Sequence, residues 1–277
     1  MRNQFYPDSR AVSSLVGVIL LFGFLIIGLS LYQATVIPSD NSKAEFIHSQ
    51  EVQNDLVDLR DATHNSGADT LSRSSPVTLG TYYNARIFTI NPAQPVGTVS
   101  TKDSATNITV EPNSSSESTE WKFSTNYIQY EPQYRENQDP PTTIIEHTLI
   151  YNSFELANTS QTRSGQRIIE PNRLVIPIVE GNVSITGTDT VSLRVTHRER
   201  KSVDNSDNVS VTFPTRVPEL WEKELASENI DNVTITTTPT TVEIEADVSE
   251  VIMYRVELGE HETDSSENRI TDEITTS

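Results

Sequence analysis

An uncharged apolar stretch near the start of the chain constrains its fold more than any other feature. Residues 11–37 contain no charged side chain, and the next charged residue is Asp40. A helix of this length spans roughly 40 Å at about 1.5 Å of rise per residue, and the hydrocarbon core of a bilayer is about 30 Å thick. A helix buried in a soluble domain usually keeps a polar face, and this stretch has none. The sequence therefore predicts a transmembrane helix over residues 12–37 that anchors the chain in a lipid bilayer.

The residues on either side of this helix predict its orientation. Within residues 1–11, Arg2, Arg10 and the terminal amine outweigh Asp8. The positive-inside rule then predicts a cytoplasmic, leader-like N-terminus and places the rest of the chain outside the cell. The alternative is a cleaved secretory signal, but such signals have a shorter apolar core and a small-x-small site, which residues 33–40 provide poorly.

Charge and composition disfavour several classes of function. The 277 residues include 39 acidic and 20 basic side chains, for a net charge of −19, and only five of the basic residues are lysines. Such a charge argues against binding to nucleic acid or to an anionic lipid surface. An acidic, lysine-poor surface is typical of proteins from high-salt organisms, where neighbouring carboxylates are screened, and an ordinary acidic ectodomain is the alternative. Cysteine is absent, which excludes disulfides and thiolate sites.

The start of the apolar stretch also resembles a known family. Residues 10–20 read RAVSSLVGVIL and resemble the start of archaeal type IV pilin-like proteins, haloarchaeal ones in particular. In that family a charged residue and a small residue precede Val-Ser-Pro-Val-Ile-Gly-Val and an apolar helix; Ser14 replaces the family's Pro, and Val16 stands where bacterial pilins carry Glu. The resemblance covers about 30 of the 277 residues. The resemblance implies a cleavage site made of Arg10, Ala11 and Val12. A prepilin peptidase would cut it between Ala11 and Val12, on the cytoplasmic side of the membrane.

The resemblance implies a membrane-anchored, pilin-like cell-surface protein whose apolar helix associates with other copies or with other pilin-like subunits. An ectodomain of about 240 residues is large for a major subunit, which favours a minor subunit of a type IV pilus-like filament. Ser13 and Gly17 form a small-xxx-small pair on which such helices pack closely, although glycine is simply frequent in membrane helices. The alternative function is a non-assembling, single-pass surface protein whose β ectodomain binds an extracellular ligand or a cell-envelope partner.

An amphipathic helix is predicted directly after the membrane helix. Pro38 and the polar residues after it predict a break or kink near the outer membrane surface. Residues 38–67 then carry an apolar stripe at helical spacing, and the Asn-Ser-Gly of residues 65–67 predicts its end. The stripe consists of Val52, Leu56 and Leu59, flanked by Val57 and Ala62.

The remainder of the chain predicts a β-rich domain over residues 76–258. Short alternating or β-branched runs, punctuated by Pro and Gly, predict a mostly antiparallel, sandwich-like extracellular domain, with one helix at residues 218–226. The fold class is therefore α+β. The strand-like runs are residues 77–79, 85–90, 96–100, 107–111, 121–125, 127–130, 144–154, 173–179, 183–186, 191–196, 209–213, 233–237, 241–246 and 251–258.

Two connections in this domain are long. Residues 101–119 and 131–143 are either exposed binding loops or mark a boundary between two subdomains near residue 140. Residues 259–277 are acidic and polar, which predicts a disordered tail.

The sequence offers no motif for chemistry. Phosphate-binding glycine loops and nucleophile elbows are absent, so we predict no enzyme activity and no cofactor. The histidines lack an i+4 His partner and a nearby Cys, which argues against a metal site. They are His48, His64, His147, His197 and His261.

Asn-x-Ser/Thr occurs six times beyond the membrane helix, where N-glycosylation acts. A chain this rich in Asn, Ser and Thr produces several such matches by chance. The candidate acceptors are Asn107, Asn113, Asn158, Asn182, Asn208 and Asn232.

Overall fold

A long helix leads into a β-rich domain. The computed structural model describes residues 9–87, 90–112, 120–204, 208–228 and 233–260. Helix α1 (Ser9–Leu31) passes through a single π-helical turn (Tyr32–Val36) into helix α2 (Ile37–Asp69). The predicted membrane helix and the predicted amphipathic helix are therefore two parts of one rod.

Of the break or kink predicted at Pro38, the break is absent, because the helix continues through Pro38 after the π-helical turn Tyr32–Val36. Proline lacks an N–H, and its ring crowds the carbonyl four residues earlier. In the π turn the hydrogen bonding shifts by one residue, so that Ile37 donates its backbone N–H to the carbonyl of Tyr32. Pro38 then lies in the first turn of α2, where a missing N–H is tolerated.

The end of α2 also differs from the prediction. The helix continues past residues 65–67 to Asp69 and is followed by Thr70, which has a left-handed φ of 59°. Gly67 is not the stop signal. It lies against the ring of Tyr254, where a Cβ atom would come within 2.3 Å of ring carbons. Glycine at this position permits the close approach of helix and sheet.

Within the described residues, the strands form three sheets, of five, six and five strands. Sheet A has the order β1–β12–β16–β10–β9, with bounds Arg73–Thr78, Thr190–Asp204, Glu250–Glu260, Arg173–Glu180 and Ile169–Glu170. Sheet B has the order β11–β2–β5–β6–β7–β8, with bounds Ser184–Gly187, Val96–Asp103, Asn126–Gln133, Thr142–Glu146, Leu149–Phe154 and Thr159–Ser164. Sheet C has the order β14–β15–β13–β3–β4, with bounds Val233–Thr237, Thr241–Asp247, Asn208–Pro214, Ile108–Pro112 and Trp121–Phe123.

The mostly antiparallel β domain is confirmed, and β10 with β16 is the parallel exception. Helix α3 (Pro218–Glu228) lies where a helix was predicted, and its Trp221 and Leu225 are buried. A sandwich-like stacking of the sheets and a subdomain boundary near residue 140 stay predictions. Residue 140 lies in the connection between β5 and β6, which pair with each other in sheet B.

Several strand bounds differ from the predictions. Residues 85–87 form no strand, and residues 88–89 lie outside the described residues. The run 144–154 is two strands, because His147 adopts a left-handed φ of 57° between β6 and β7. Strand β16 continues to Glu260, so the predicted tail begins at least two residues later; residues 261–277 lie outside the described part of the chain.

Sheets A and B contribute buried side chains to each of two hydrophobic cores. The helix-side core packs α2 against these sheets, and the far core packs them against sheet C and α3. Strand β10 serves both, because Val175 and Val179 enter the helix-side core while Leu174 and Ile176 enter the far core. A strand buried on both faces reads as a continuous apolar run, which is what RLVIPIV shows.

The predicted apolar stripe of α2 is confirmed. Val52, Leu56 and Leu59 have no exposed surface, and Val57 and Ala62 pack against the same core half-buried. These side chains attach α2, and with it the whole helical rod α1–α2, to the β domain.

Replacing Leu56 by Ala should therefore lower the unfolding free energy of the β domain by about 2–5 kcal/mol, because a buried cavity forms. Phe46→Ala, on the same helix but 59% exposed, is the control and should change stability by less than about 1 kcal/mol. Urea denaturation of the detergent-solubilised chain measures both. Equal losses for the two variants would contradict this packing.

Candidate functional site

The apolar helix α1 stands clear of the β domain. Its large side chains are exposed, for example Leu21 (69%) and Phe24 (70%). Within the described residues, the rod that contains α1 is the one helix long and apolar enough to cross a membrane, and its most apolar window has no buried residue. An apolar surface this large requires lipid or other apolar helices around it.

The residues predicted on this helix lie along its first turns. Arg10, Ala11 and Val12 are helical, within α1. Ser13 and Gly17 follow one turn apart, and a Cβ atom built at Gly17 would meet no atom within 4 Å. No described atom therefore occupies the space beside Gly17, while cleavage and helix packing themselves stay predictions.

The described glycosylation candidates are all exposed. They are Asn107, Asn158, Asn182 and Asn208, while Asn113 and Asn232 lie outside the described residues. Asn158 is in the β7–β8 turn with a left-handed φ of 45°. Exposure satisfies the steric requirement, and occupancy stays a prediction.

A buried carboxylate joins the long helix to the β domain, two turns after the start of α2. Glu45 on α2 has no exposed surface. Its carboxylate accepts three successive backbone N–H groups of the β5–β6 loop: Arg135 at 2.7 Å, Glu136 at 3.1 Å and Asn137 at 2.8 Å. The Tyr83 hydroxyl donates a further hydrogen bond at 2.5 Å. Consecutive N–H groups of this kind form an anion-binding concavity, and here the anion belongs to the same chain.

Burial, together with the Glu45 carboxylate, raises the pKa of the Tyr83 hydroxyl well above its ordinary value. Tyr83 therefore stays a hydrogen-bond donor to Glu45 at physiological pH. The contact requires a neutral phenol, so it is not sensitive to pH in the neutral range.

His48, one turn after Glu45, also connects α2 with the β domain. Its Nδ1 lies 2.7 Å from the Tyr134 hydroxyl and its Nε2 lies 3.2 Å from the Thr78 carbonyl oxygen. Because a carbonyl only accepts, Nε2 carries the proton and Nδ1 accepts from Tyr134. Burial lowers the pKa of His48, which favours this neutral form. Asp55 accepts the backbone N–H of Thr78 at 2.9 Å, so both backbone groups of this β1 residue are bound by α2.

Arg60 makes a further polar contact between the long helix and the β domain. Its side chain is 3% exposed and forms an ion pair with Asp61 at 2.8 Å. The guanidinium also donates to the carbonyl oxygens of Thr148 at 3.3 Å and Gly165 at 2.9 Å. We call Glu45, His48 and Arg60, with these partners, the polar seam.

The polar seam changes the interpretation of the loop at residues 131–143. Its length and composition predict either an exposed binding loop or a boundary between two subdomains. In the structure it is bound to α2 through Glu45 and Tyr134, so it is part of the attachment of the rod. The other candidate loop, residues 101–119, contains the end of β2 and all of β3, and residues 113–119 lie outside the described chain.

A cleft lies elsewhere, between sheet B and the start of α3. It has a volume of about 610 Å³ and opens to solvent. Its lining is mainly polar: Gln129, Glu131, Ser153, Asn158, Arg216 and Glu219 are among the residues that face it. The guanidinium carbon of Arg216 lies 5.1 Å from the ring centroid of Tyr127. This cation–π contact holds in place the one cationic side chain among the residues that line the cleft.

Next to this cleft, the buried residues Glu146 and His147 bind the segment that leads into α3. Glu146 accepts the Thr215 hydroxyl at 2.7 Å and the Arg216 backbone N–H at 3.1 Å. Burial raises the pKa of Glu146, partly opposed by these hydrogen bonds. His147 donates from Nε2 to the Pro214 carbonyl at 2.8 Å, and its other nitrogen has no partner among the described residues. The described residues contain no group of three or more His, Cys, Asp or Glu placed to hold a metal ion.

Sequence reasoning missed the polar seam because it treats Glu, His and Arg on a helix as surface residues. A signal was nevertheless present. Residues 45, 48, 52, 56, 59 and 63 continue one stripe at spacings of three and four, and all six are buried.

Comparison of the chain with protein-family models, curated proteins and solved structures finds no match.

Replacing Glu45 by Gln should lower the unfolding free energy by at least about 2 kcal/mol, because an amide group cannot accept all the hydrogen bonds that the carboxylate accepts. Glu51→Gln, an exposed position on the same helix, makes the same charge change and should be nearly neutral. Hydrogen exchange at the amides of residues 135–137 should accelerate only in the Glu45 variant. Unchanged exchange there would contradict the carboxylate contact.

His147 predicts a pH dependence of stability. Burial lowers its pKa to about 4, so between pH 6.5 and pH 4 the unfolded chain binds more protons than the folded chain. The unfolding free energy should therefore fall as the pH falls through this window, by roughly 3 kcal/mol from this residue. His48 and His64, with lowered pKa values, act in the same direction, and Glu146, with a raised pKa, acts in the opposite one.

Denaturation curves at several pH values measure this effect. His147→Gln keeps a side-chain donor for Pro214 but cannot titrate, so its stability should fall less steeply between pH 6.5 and 4 than that of the unsubstituted chain. Identical slopes would show that His147 does not have a lowered pKa.

Proposed function

We propose that the protein is a membrane-anchored, pilin-like cell-surface protein and a minor subunit of a type IV pilus-like filament. The observation that supports this most directly is the exposed apolar helix α1, continuous with a helix whose other end is fastened in a β domain. In this proposal α1 crosses the membrane with its N-terminus in the cytoplasm, and the β domain lies outside the cell.

The rod gives this proposal a physical basis. A helix with apolar side chains on every face is unfavourable in water. It therefore associates either with lipid or with other apolar helices. The open small-residue positions Gly17, Gly23 and Gly28 would let neighbouring helices approach closely. Because α1 and α2 are continuous, bundling of the apolar parts would array the β domains around the bundle.

A second candidate function is a non-assembling single-pass surface protein that binds an extracellular partner. The polar cleft between sheet B and α3 favours it, since its volume suits a small polar ligand and its lining offers both donors and acceptors. Both candidates predict membrane anchoring, and they differ in self-association.

Mass spectrometry of the mature N-terminus, in a host with a prepilin peptidase, tests the first candidate. We expect a chain that starts at Val12 and is found in the fraction released by shearing. Ala11→Leu removes the small residue at the cut and should leave Met1 in place, whereas Leu20→Val, farther along the helix, should be processed normally.

The outcomes separate the two candidates. A start at Val12 without sheared material would indicate processing without assembly and favour the anchored binding protein. An intact Met1 in the unsubstituted chain would contradict the pilin-like proposal.

A further inference from the structure

A loop of the β domain runs back along the rod toward the membrane helix. We call residues 80–87 and 90–95 the basal loop. Tyr83 contacts Glu45, and Arg86 forms an ion pair with Asp40 at 3.1 Å. As the loop proceeds, its partners on the rod therefore lie progressively closer to the end of α1.

The basal loop reaches the π turn itself. The side-chain amide of Gln33 donates to the carbonyl oxygen of Ile90 at 2.9 Å and accepts the backbone N–H of Ile90 at 3.3 Å. The two hydrogen bonds fix Ile90 at the level of the Tyr32–Val36 turn.

The length of α1 places this level relative to a bilayer. Its 23 residues span about 35 Å, slightly more than the roughly 30 Å of the hydrocarbon core. The turn after α1 carries Tyr32 and Gln33, and tyrosine is enriched at the membrane–water interface. Ile90 is thus held at the depth of the lipid headgroups.

The basal loop exposes apolar side chains at this depth. Ile87 is 90% exposed and Ile90 is 83% exposed, more than any other large apolar side chain of the described residues. Neither rests on the domain. In a surface that faces only water, two isoleucines this exposed on one loop would be unfavourable.

The charge of this part of the chain fits a lipid contact as well. Residues 70–102 contain no Asp or Glu, although the whole chain has 39 acidic residues among 277. Arg86 is the one charged residue between Arg73 and Lys102, and Asp40 neutralises it. The basal loop itself therefore adds no negative charge, and the exposed acidic side chains that contact it, Asp40 and Asp189, come from other elements and are bound by Arg86 and Tyr82.

We propose that the basal loop is a second membrane contact, in which Ile87 and Ile90 enter the outer-leaflet interface beside the membrane helix. This inference rests on the proposed membrane anchoring. A single helix leaves a domain free to tilt and rotate on the membrane; a second contact to one side of the helix fixes which face of the β domain points outward. The lipid headgroup and upper acyl-chain region is the partner.

Site-specific fluorescence in vesicles tests the proposal. The chain has no cysteine, so Ile87→Cys and Ile90→Cys each provide one attachment site for an environment-sensitive dye. The full chain is reconstituted into phosphatidylcholine vesicles that contain lipids with a nitroxide either near the headgroup or deep in the acyl chain. Phe24→Cys in the middle of α1 reports on the anchor, and Leu156→Cys, 75% exposed at the β7–β8 turn, is the matched surface control.

We expect shallow nitroxides to reduce the emission at positions 87 and 90 by roughly twofold, as for side chains at the headgroup–acyl boundary. Deep nitroxides should quench position 24 most, and position 156 should be unaffected. If position 24 is quenched while positions 87 and 90 behave like 156, the basal-loop inference is overturned and the anchor remains. If position 24 is not quenched, the membrane anchor itself fails.

A second copy of the chain is the rival partner for this patch. Cross-linking of two chains through a cysteine at position 87, without quenching by lipid, would assign the patch to a contact between subunits and overturn the lipid contact.

Discussion

The structure depends on one continuous helix whose two halves, α1 and α2, have different environments. Along α1, apolar side chains face outward on all sides, and the backbone hydrogen bonds are made within the helix, as a hydrocarbon environment requires. Along α2, the same helix packs against two sheets and buries both apolar and polar side chains. The π turn between them accommodates Pro38 without ending the helix, so the two halves are mechanically one element. Whatever fixes α1 therefore also fixes the orientation of the β domain.

The polar seam explains why this attachment is specific. Val52, Leu56 and Leu59 supply burial, but an apolar stripe alone would tolerate small shifts of the helix along the sheet. Glu45 and Arg60 bind backbone groups of the domain, and a displaced helix would leave these charges buried without partners. The energetic penalty for an unpaired buried charge is several kcal/mol, so the seam selects one register.

The β domain carries two chemically different surfaces. The basal loop, beside the end of α1, carries exposed isoleucines and has no acidic residue of its own. The polar cleft between sheet B and the start of α3 opens to solvent and is lined mainly by polar side chains. The buried Glu146 and His147 bind the segment that leads into α3, next to the cleft residue Arg216.

Much of this architecture follows from local sequence patterns. The uncharged run gives α1, the spacing of Val52, Leu56 and Leu59 gives the packed face of α2, and Pro218 with Trp221 and Leu225 gives α3. In each case neighbouring residues carry the signal. Most strands were also predictable, because side chains alternate with a period of two. The polar strand β8, whose side chains are mostly exposed, has no such signal and was missed.

The tertiary structure decided what local patterns do not contain. Residues 85–90 have the composition of a strand, yet Arg86 and Ile90 find their partners on the rod, 46 and 57 residues earlier in the chain. Glu45 can be buried because three N–H groups about 90 residues later, together with the Tyr83 hydroxyl, converge on its carboxylate. The sequence by itself determined the long apolar helix, the helix faces and the β-rich class, since these depend on the hydrophobicity of near neighbours. Which polar groups are buried, and which loop reaches the membrane helix, depend on contacts between distant segments, and only the folded chain brings those together.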